Sequence, residues 1–332
     1  MLIQWLTFAL AAAAVVLAGI RLASFGDALA RRTGIGQGWI GLLFLATVTS
    51  IPELTTTITG ASIGAPNIAV GNAFGSNVFN VAIIGIVDIL LLRRGTLTSK
   101  VRPYHVSSAA IAILLTAIAA LGIVLEPTSR LAGASPVTWL LLIGYVAGVY
   151  LLFRVERREG ASEEPAGRTP TLARAIVGFL LCAAVIVVAG VFLVRSSKEI
   201  SEATGLSATF MGAILVAIVT SLPELATAIG CLRLGAYDMI LGNVFGSNMF
   251  NILTVFFADL AFRRGSLLSS LGDGANDQLI VALLGIGITA AAIVGIGARS
   301  RRTVLTVGVD AALVLAIYLV GTALLIHRGV RF

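Results

Sequence analysis

The strongest constraint on this fold is a stretch of 40 residues that occurs twice in the chain. Residues 41–80 align without a gap to residues 212–251, and 20 of the 40 positions are identical. Two blocks recur in both copies, Thr-Ser-x-Pro-Glu and Gly-Asn-x-Phe-Gly-Ser-Asn-x-Phe-Asn. Most apolar residues differ between the copies while the polar residues of these blocks are the same. The duplication therefore predicts one functional site built from both copies.

Composition indicates where these polar residues lie. The chain is 58% hydrophobic and 12% charged, and its mean hydropathy is +1.01. These values are typical of an integral membrane protein. The apolar stretches are far longer than the ~10 residues of a barrel strand, so we expect spanning helices. The net charge of +7 is not arranged as a basic stripe with interleaved aromatics, so no nucleic-acid partner is expected.

Ten apolar segments are long enough to be spans, five on each side of a charged linker at residues 155–173. We expect an all-α membrane protein with five-helix repeats at 1–154 and 174–332. Five spans is an odd number, so the repeats enter the membrane in opposite directions and are inverted. The first segment lacks a basic leader and a cleavage pattern, which favours a retained span over a removed signal peptide. The expected spans are 3–24, 36–60, 67–92, 104–125, 136–154, 174–196, 208–233, 237–262, 278–298 and 303–326.

The distribution of positive residues predicts an orientation. Cytoplasmic loops collect Lys and Arg. With the linker on the cytoplasmic side, 16 of the 23 Lys and Arg residues lie on that side and 7 on the other. We therefore expect a multi-pass protein of the cell membrane, with both termini extracytoplasmic.

The first repeated block combines a helix break with a carboxylate. Pro52 and Pro223 have no N–H and crowd the preceding turn, so spans two and seven should each break into two half-helices. Glu53 and Glu224 follow these breaks directly. A carboxylate is costly at this depth without a partner, and no Lys or Arg lies in the core of any expected span. A bound metal cation is the simplest source of positive charge.

The second repeated block supplies more oxygen atoms. Its Asn, Ser and Asn residues are spaced i, i+4 and i+8, which aligns them on one face of a helix. Its two glycines, four residues apart, would let another helix approach closely. Many hard oxygen ligands without His or Cys favour calcium, sodium or magnesium. The two stripes are Asn72, Ser76 and Asn80, and Asn243, Ser247 and Asn251.

The paired blocks resemble the α-repeats of the sodium/calcium exchanger family, within the calcium/cation antiporter superfamily. The resemblance implies a calcium site formed by the carboxylates of Glu53 and Glu224 and the backbone carbonyls of Thr49 and Thr220. It also implies neighbouring sodium sites. These would add the carbonyls of Ala46 and Ala217, the hydroxyls of Ser50, Ser221, Ser76 and Ser247, and the amides of Asn80 and Asn251. Several relatives have an aspartate where this chain has Asn251, and its absence resembles the potassium-independent members.

Other polar residues have two interpretations. Asn72, Asn243, Asn77 and Asn248 are read as interhelical hydrogen-bonding residues and left out of the ligand set. Asp88 and Asp259 recur at the ends of their spans, before paired arginines. They could form ion pairs there or line the mouth of a pathway. Asp310 has no duplicate and receives no role.

The function expected from these features is secondary antiport of Ca²⁺ against Na⁺ by alternating access. Exchange of Ca²⁺ for H⁺ is the close alternative, and a cation channel is a more remote one, because the carboxylates converge on one point and not along a pore. An enzyme is not expected, since Ser50 and Ser221 have no nearby His or Lys in their motif. No cofactor and no obligate protein partner are expected; the partners are the transported ions and the lipid bilayer.

Overall fold

We describe the fold from a computed structural model. The structure describes residues 2–91, 95–126, 128–159, 170–204, 219–299, 303–304 and 307–327. The helices are α1 Leu2–Thr33, α2 Gln37–Thr49, α3 Ile51–Ser62, α4 Pro66–Leu90, α5 Tyr104–Leu125, α6 Pro136–Glu159, α7 Leu172–Thr204, α8 Leu222–Leu234, α9 Tyr237–Ala261, α10 Ala275–Ala298 and α11 Val309–His327. Strands β1 Thr303–Val304 and β2 Val307–Gly308 pair antiparallel.

The described part of the chain confirms an all-helical, multi-pass architecture. Seven of its helices are long and apolar enough to cross a membrane, and the bent pair α2 and α3 raises the number to eight. The last expected span was placed too early, because β1 and β2 form a hairpin and α11 begins only at Val309. The first half of the seventh expected span, residues 208–218, lies outside the described residues, so the count of ten stays a prediction.

Helices α4 and α9 form the centre of the molecule. Every residue from Ala69 to Gly85 in α4, and from Met239 to Phe256 in α9, is buried. Helix α9 packs against α2, α3, α4, α5, α6 and α8. These central helices carry the second repeated block, so its polar side chains are enclosed by protein. Helices α1 and α7 pack on each other and carry many exposed apolar residues on their outer faces.

The break expected at Pro52 is present. Helices α2 and α3 meet at an angle of 46°, and Ser50 at the junction has φ −92° and ψ 11°. Ser221 has nearly the same dihedral angles, φ −90° and ψ 11°, directly before α8. Both junctions have a proline in the first turn of the following helix, where its missing N–H costs no hydrogen bond. The same local sequence thus produces the same local backbone in both copies.

A π-helical turn at Ile40–Leu45 was not predicted. It lies within α2, one turn before the break, where the amide of Ala46 donates to the carbonyl of Gly41. π-Helical turns widen a helix locally and occur often beside functional sites. Here the widened turn faces α9, which α2 approaches backbone to backbone.

Asp88 and Asp259 fix loops. Asp259 accepts hydrogen bonds from the amides of Leu267, at 2.7 Å, and Ser135, at 2.6 Å. Asp88 accepts from the amides of Leu97, at 2.6 Å, and Gly308, at 2.7 Å. Each aspartate therefore joins the loop after its own helix to the start of another helix.

The expected ion pair is wrong for Asp259, because neither Arg263 nor Arg264 pairs with it in the described part of the chain. Arg93 and Arg94, the expected partners of Asp88, lie outside the described residues. Asp310, which sequence reasoning could not place, accepts a hydrogen bond from the hydroxyl of Thr98.

One charged network ties the start of α9 to α6. Arg102 lies between two carboxylates, 2.6 Å from Glu156 and 3.0 Å from Asp238. Its backbone amide also donates to Asp238, at 2.8 Å, and His105 Nε2 lies 3.0 Å from the same carboxylate. Because Asp238 is in the first turn of α9, this network fixes one end of the central helix.

Candidate ion-binding site

The two glutamates of the repeated motif lie in the first turns of α3 and α8, and both are fully buried. Each is hydrogen-bonded to a serine from the other copy of the motif. Ser50 donates to Oε1 of Glu224 at 2.8 Å, and Ser221 donates to Oε1 of Glu53 at 3.0 Å. The breaks in the two copies therefore face each other, and each holds the carboxylate of the other.

The position of these carboxylates explains how they are tolerated in a buried place. The first turn of a helix has free N–H groups and the positive end of the helix dipole, which stabilise a negative charge. No Lys, Arg or His of the described residues forms an ion pair with Glu53 or Glu224. Within the same residues, Oε2 of each glutamate has no hydrogen-bond partner. Two buried carboxylate oxygens thus remain free to bind a cation.

Helix α9 adds oxygen atoms to this pair. Ser247 donates to Oε1 of Glu224 at 3.3 Å, and the hydroxyl of Thr49 lies 3.5 Å from that of Ser247. The same threonine donates to the side-chain oxygen of Asn243 at 3.3 Å. Three elements therefore meet here: the end of α2, the start of α8 and the middle of α9.

Helix α4 presents polar atoms without partners. Ser76 and Asn80 are fully buried, and neither the Ser76 hydroxyl nor the Asn80 amide has a hydrogen-bond partner among the described residues. Oδ1 of Asn251 is likewise buried and unpaired in that part of the chain. Unpaired polar atoms are costly in a protein interior, and a bound cation with its waters would satisfy them.

The backbone carbonyls predicted as ligands are placed as follows. The carbonyl of Ala46 accepts from the amide of Ser50 at 3.0 Å and from the hydroxyl of Thr49 at 3.4 Å. Thr220 is buried in the last turn before the second break. Ala217 lies outside the described residues.

The asparagines that sequence reasoning left out of the ligand set form interhelical hydrogen bonds. Asn72 donates to the backbone carbonyl of Glu53 at 3.1 Å and to the hydroxyl of Thr57 at 2.9 Å. These bonds join α4 to α3 directly behind the carboxylate. Thr57 was missed, although its spacing of one helical turn after Glu53 was a usable signal.

Comparison with known proteins identifies the family. The sequence profile of the family described as sodium/calcium exchanger protein matches residues 3–154 and 174–327. The chain belongs to the sodium/calcium exchanger family. Its two matched segments leave out residues 155–173 between them.

Individual relatives are similar over most of their length. CaxA of Alkalimonas amylolytica, named as a candidate antiporter, is 33% identical over 244 residues, 69% of this chain and 71% of CaxA. The inner membrane protein YrbG of Escherichia coli K12 is 30% identical over 73% of this chain and 74% of its own. The sodium/calcium exchanger MaX1 of Methanosarcina acetivorans is 27% identical over 68% and 74%.

The fold also matches solved structures of an exchanger. The sodium-calcium exchanger NCX_Mj, soaked with Na⁺ and Sr²⁺, superposes with a TM-score of 0.74 over 97% of this chain and 98% of its own. The sequence identity in this comparison is 22%, so the likeness establishes the fold. Together with the family match, it makes this chain a membrane exchanger of cations.

Helices α2 and α9 of the exchanger approach each other closely at glycines. The glycines of the second repeated block predicted such an approach for the copy at residues 212–251. A methyl group on Gly246 would overlap the backbone carbonyl of Leu42, and one on Gly242 would overlap that of Gly38. A methyl group on Gly41 would lie 2.5 Å from the carbonyl of Met239. Close backbone approach of this kind is typical of membrane helices packed through small residues. The approach expected at Gly71 and Gly75 stays a prediction.

We expect Gly246→Ala to destabilise the exchanger by about 1–3 kcal/mol, because the added methyl group must push α2 away from α9. Thermal unfolding in detergent measures this. Gly287→Ala is the matched control, because a methyl group at this position meets nothing within 4 Å. This substitution also replaces a glycine inside a helix by alanine, which is a better helix former. Equal melting temperatures for the two variants would contradict the close packing of α2 on α9.

Proposed function

We propose that this chain exchanges Ca²⁺ for Na⁺ by alternating access. The observation that carries the proposal is the pair Glu53 and Glu224, two fully buried carboxylates held by serines of the opposite copy. Their two negative charges balance one divalent cation. The surrounding hydroxyl and amide oxygens suit calcium and sodium, which are hard cations.

The ligands follow the assignment expected from the family resemblance. Calcium would bind the carboxylates of Glu53 and Glu224 and the backbone carbonyls of Thr49 and Thr220. Sodium would use the neighbouring carbonyls, hydroxyls and amides. The unpaired buried atoms of Ser76, Asn80 and Asn251 support their inclusion. The sodium set is Ala46, Ala217, Ser50, Ser221, Ser76, Ser247, Asn80 and Asn251.

The same proposal includes ten spans arranged as two inverted repeats, residues 1–154 and 174–332, joined by a cytoplasmic linker at 155–173. The matching backbone at Ser50 and Ser221 supports a structural repeat. The crossed Ser–Glu hydrogen bonds support a two-fold relation between the two copies. Inverted repeats that meet at broken helices are a common arrangement in secondary transporters.

The test of ion coupling uses purified exchanger in sealed vesicles. Radioactive calcium uptake is measured with an outward sodium gradient, with an outward proton gradient, and with neither. We expect uptake to require the sodium gradient and to persist when a protonophore collapses any pH difference. Exchange of Ca²⁺ for H⁺ is the second candidate, because two buried carboxylates could also be neutralised by protons. Uptake driven by the pH gradient without sodium would establish that candidate.

The proposed orientation can be tested with single cysteines. Ser62 is exposed at the end of α3, and Ser162 lies in the linker. We expect an impermeant thiol reagent to label Ser62→Cys on intact cells and Ser162→Cys only after permeabilisation. The wild-type chain is the control, because both of its cysteines, Cys182 and Cys231, are buried. The reverse labelling pattern would invert the topology.

A further inference from the structure

Two asparagines beside the site form a reciprocal clamp between α4 and α9. The side-chain amide of Asn77 donates to the backbone carbonyl of Asn248 at 3.2 Å, and that of Asn248 donates to the carbonyl of Asn77 at 3.2 Å. Both residues are almost completely buried. They directly follow Ser76 and Ser247, so the clamp lies at the level of the candidate ligands.

The clamp fixes which way each side-chain amide points. A backbone carbonyl only accepts hydrogen bonds, so each clamp residue must present its nitrogen to the opposite helix. Its oxygen then points elsewhere and acts as an acceptor. A 180° turn of either amide would place two oxygens against each other. The orientation of Asn77 and Asn248 is thus set by the backbone of the opposite helix.

This fixed orientation extends to a candidate sodium ligand. Nδ2 of Asn251 donates to Oδ1 of Asn77 at 3.2 Å. Because that oxygen is an acceptor, Asn251 must turn its nitrogen toward the clamp and its own oxygen away from it. Oδ1 of Asn251 is buried and has no partner among the described residues. A cation is attracted by an amide oxygen and repelled by an NH₂ group, so only this orientation suits a ligand.

The hydrogen bond that would correspond to Asn251–Asn77 in the other copy is absent among the described residues. The equivalent contact would join the nitrogen of Asn80 to the oxygen of Asn248. In the described part of the chain, that oxygen and both polar atoms of the Asn80 amide lack partners. The two halves of the site therefore differ: the amide of Asn251 is held, and the amide of Asn80 is not.

We propose that Asn77 is a positioning residue that holds the Asn251 amide with its oxygen available to sodium. Asn248 shares the clamp but has no such effect on Asn80. The inference rests on the proposed function, which makes Asn251 a sodium ligand. It assigns a role to a residue that itself binds no ion.

The pseudo-symmetry of the clamp provides a matched pair of variants. Asn77→Ala and Asn248→Ala each remove one amide-to-carbonyl bond between α4 and α9. Only Asn77→Ala also releases Asn251. We expect both variants to lower the melting temperature, and Asn77→Ala somewhat more, because it also removes the hydrogen bond from Asn251. Asn77→Ala should raise the sodium concentration for half-maximal calcium exchange about 5- to 10-fold, which corresponds to the loss of one neutral hydrogen bond. Asn248→Ala should raise the same concentration less than about 2-fold.

A double-mutant cycle separates orientation from general loosening. Asn251→Asp presents an oxygen on both sides and needs no orienting partner, so Asn77→Ala should lose its effect on sodium dependence in that background. If the alanine variants do not fold, Asn77→Leu and Asn248→Leu replace them, because leucine fills the same space without polar atoms. The same shifts in sodium dependence are expected for the leucine variants.

The outcomes distinguish this inference from the function on which it rests. Equal shifts in sodium dependence for the Asn77 and Asn248 variants would overturn the inference alone. An Asn77→Ala effect of unchanged size in the Asn251→Asp background would do the same. Wild-type protein without sodium-dependent calcium exchange would overturn the proposed function and, with it, this inference.

Discussion

Replacing either Glu53 or Glu224 by glutamine is expected to abolish calcium exchange. Glutamine keeps the shape of the side chain and removes its charge, so one of the two charges that balance Ca²⁺ is lost. Both side chains are fully buried, and water cannot replace the missing charge. Removing one partner from a buried charge pair costs about 3–5 kcal/mol, which corresponds to a loss of at least about 100-fold in calcium affinity.

The crossed hydrogen bonds make the two substitutions comparable. Ser50 and Ser221 are donors, so each can still donate to the side-chain oxygen of a glutamine in the opposite copy. The breaks should therefore stay in place while calcium binding fails. Sodium-driven uptake of radioactive calcium into vesicles measures the loss, with Glu126→Gln, at an exposed position, as the control. Calcium flux near the wild-type level in either variant would remove both residues from the site.

Local sequence was sufficient to predict most helices and one break. Pro52 has no N–H and crowds the preceding turn, and these local properties bend the span whatever surrounds it. The spans at 104–125 and 237–262 agree closely with helices α5 and α9, because long apolar segments between loops leave little choice. The hairpin before α11 was missed because residues 303–308 carry no charge and run directly into the apolar span that follows.

Sequence predicted the candidates for the site but not how they are connected. The duplication selected Ser50 and Ser221 as possible ligands, whereas the structure also makes each one the partner of the distant glutamate. Such crossed bonds join residues about 170 positions apart and follow from the packing of whole helices. The π-helical turn at Ile40–Leu45 has the same kind of cause, since it lies where α2 meets the backbone of α9. Neither feature has a local sequence signal.

Asp259 shows how a correct sequence pattern can receive a wrong role. Asp88 and Asp259 recur at equivalent positions, and the arginines that follow them suggest ion pairs. The backbone amides of Leu267, in the loop after α9, and of Ser135, directly before α6, satisfy Asp259 instead. A carboxylate accepts several hydrogen bonds at once, and loop amides buried beside it need an acceptor more than an exposed arginine does.

Exchange is expected to depend strongly on membrane potential, because the charges of the proposed site do not balance when sodium is bound. In the proposed site, the two charges of Glu53 and Glu224 neutralise one Ca²⁺. In the proposed site, Asn251 and Asn80 contribute oxygen atoms without charge, so more than two bound sodium ions would exceed the two carboxylate charges. The sodium-loaded site would then carry a surplus positive charge. Moving one charge across the membrane is worth about 2.3 kcal/mol per 100 mV.

A surplus of one charge per cycle changes the equilibrium calcium ratio about 50-fold per 100 mV. An inside-negative potential should therefore drive sodium entry and calcium exit. The measurement uses vesicles clamped at two potentials with potassium and valinomycin, with initial rates of sodium-dependent calcium flux recorded at each. Asn251→Asp is the informative variant: its carboxylate neutralises the sodium-loaded site and leaves the calcium-loaded site with one negative charge. The voltage-dependent step should then move from the sodium half-cycle to the calcium half-cycle, while the equilibrium ratio keeps its voltage dependence. Replacement of one Ca²⁺ by two protons at Glu53 and Glu224 moves no net charge. Sodium-dependent calcium flux that is equal at both membrane potentials would rule out the surplus-charge mechanism.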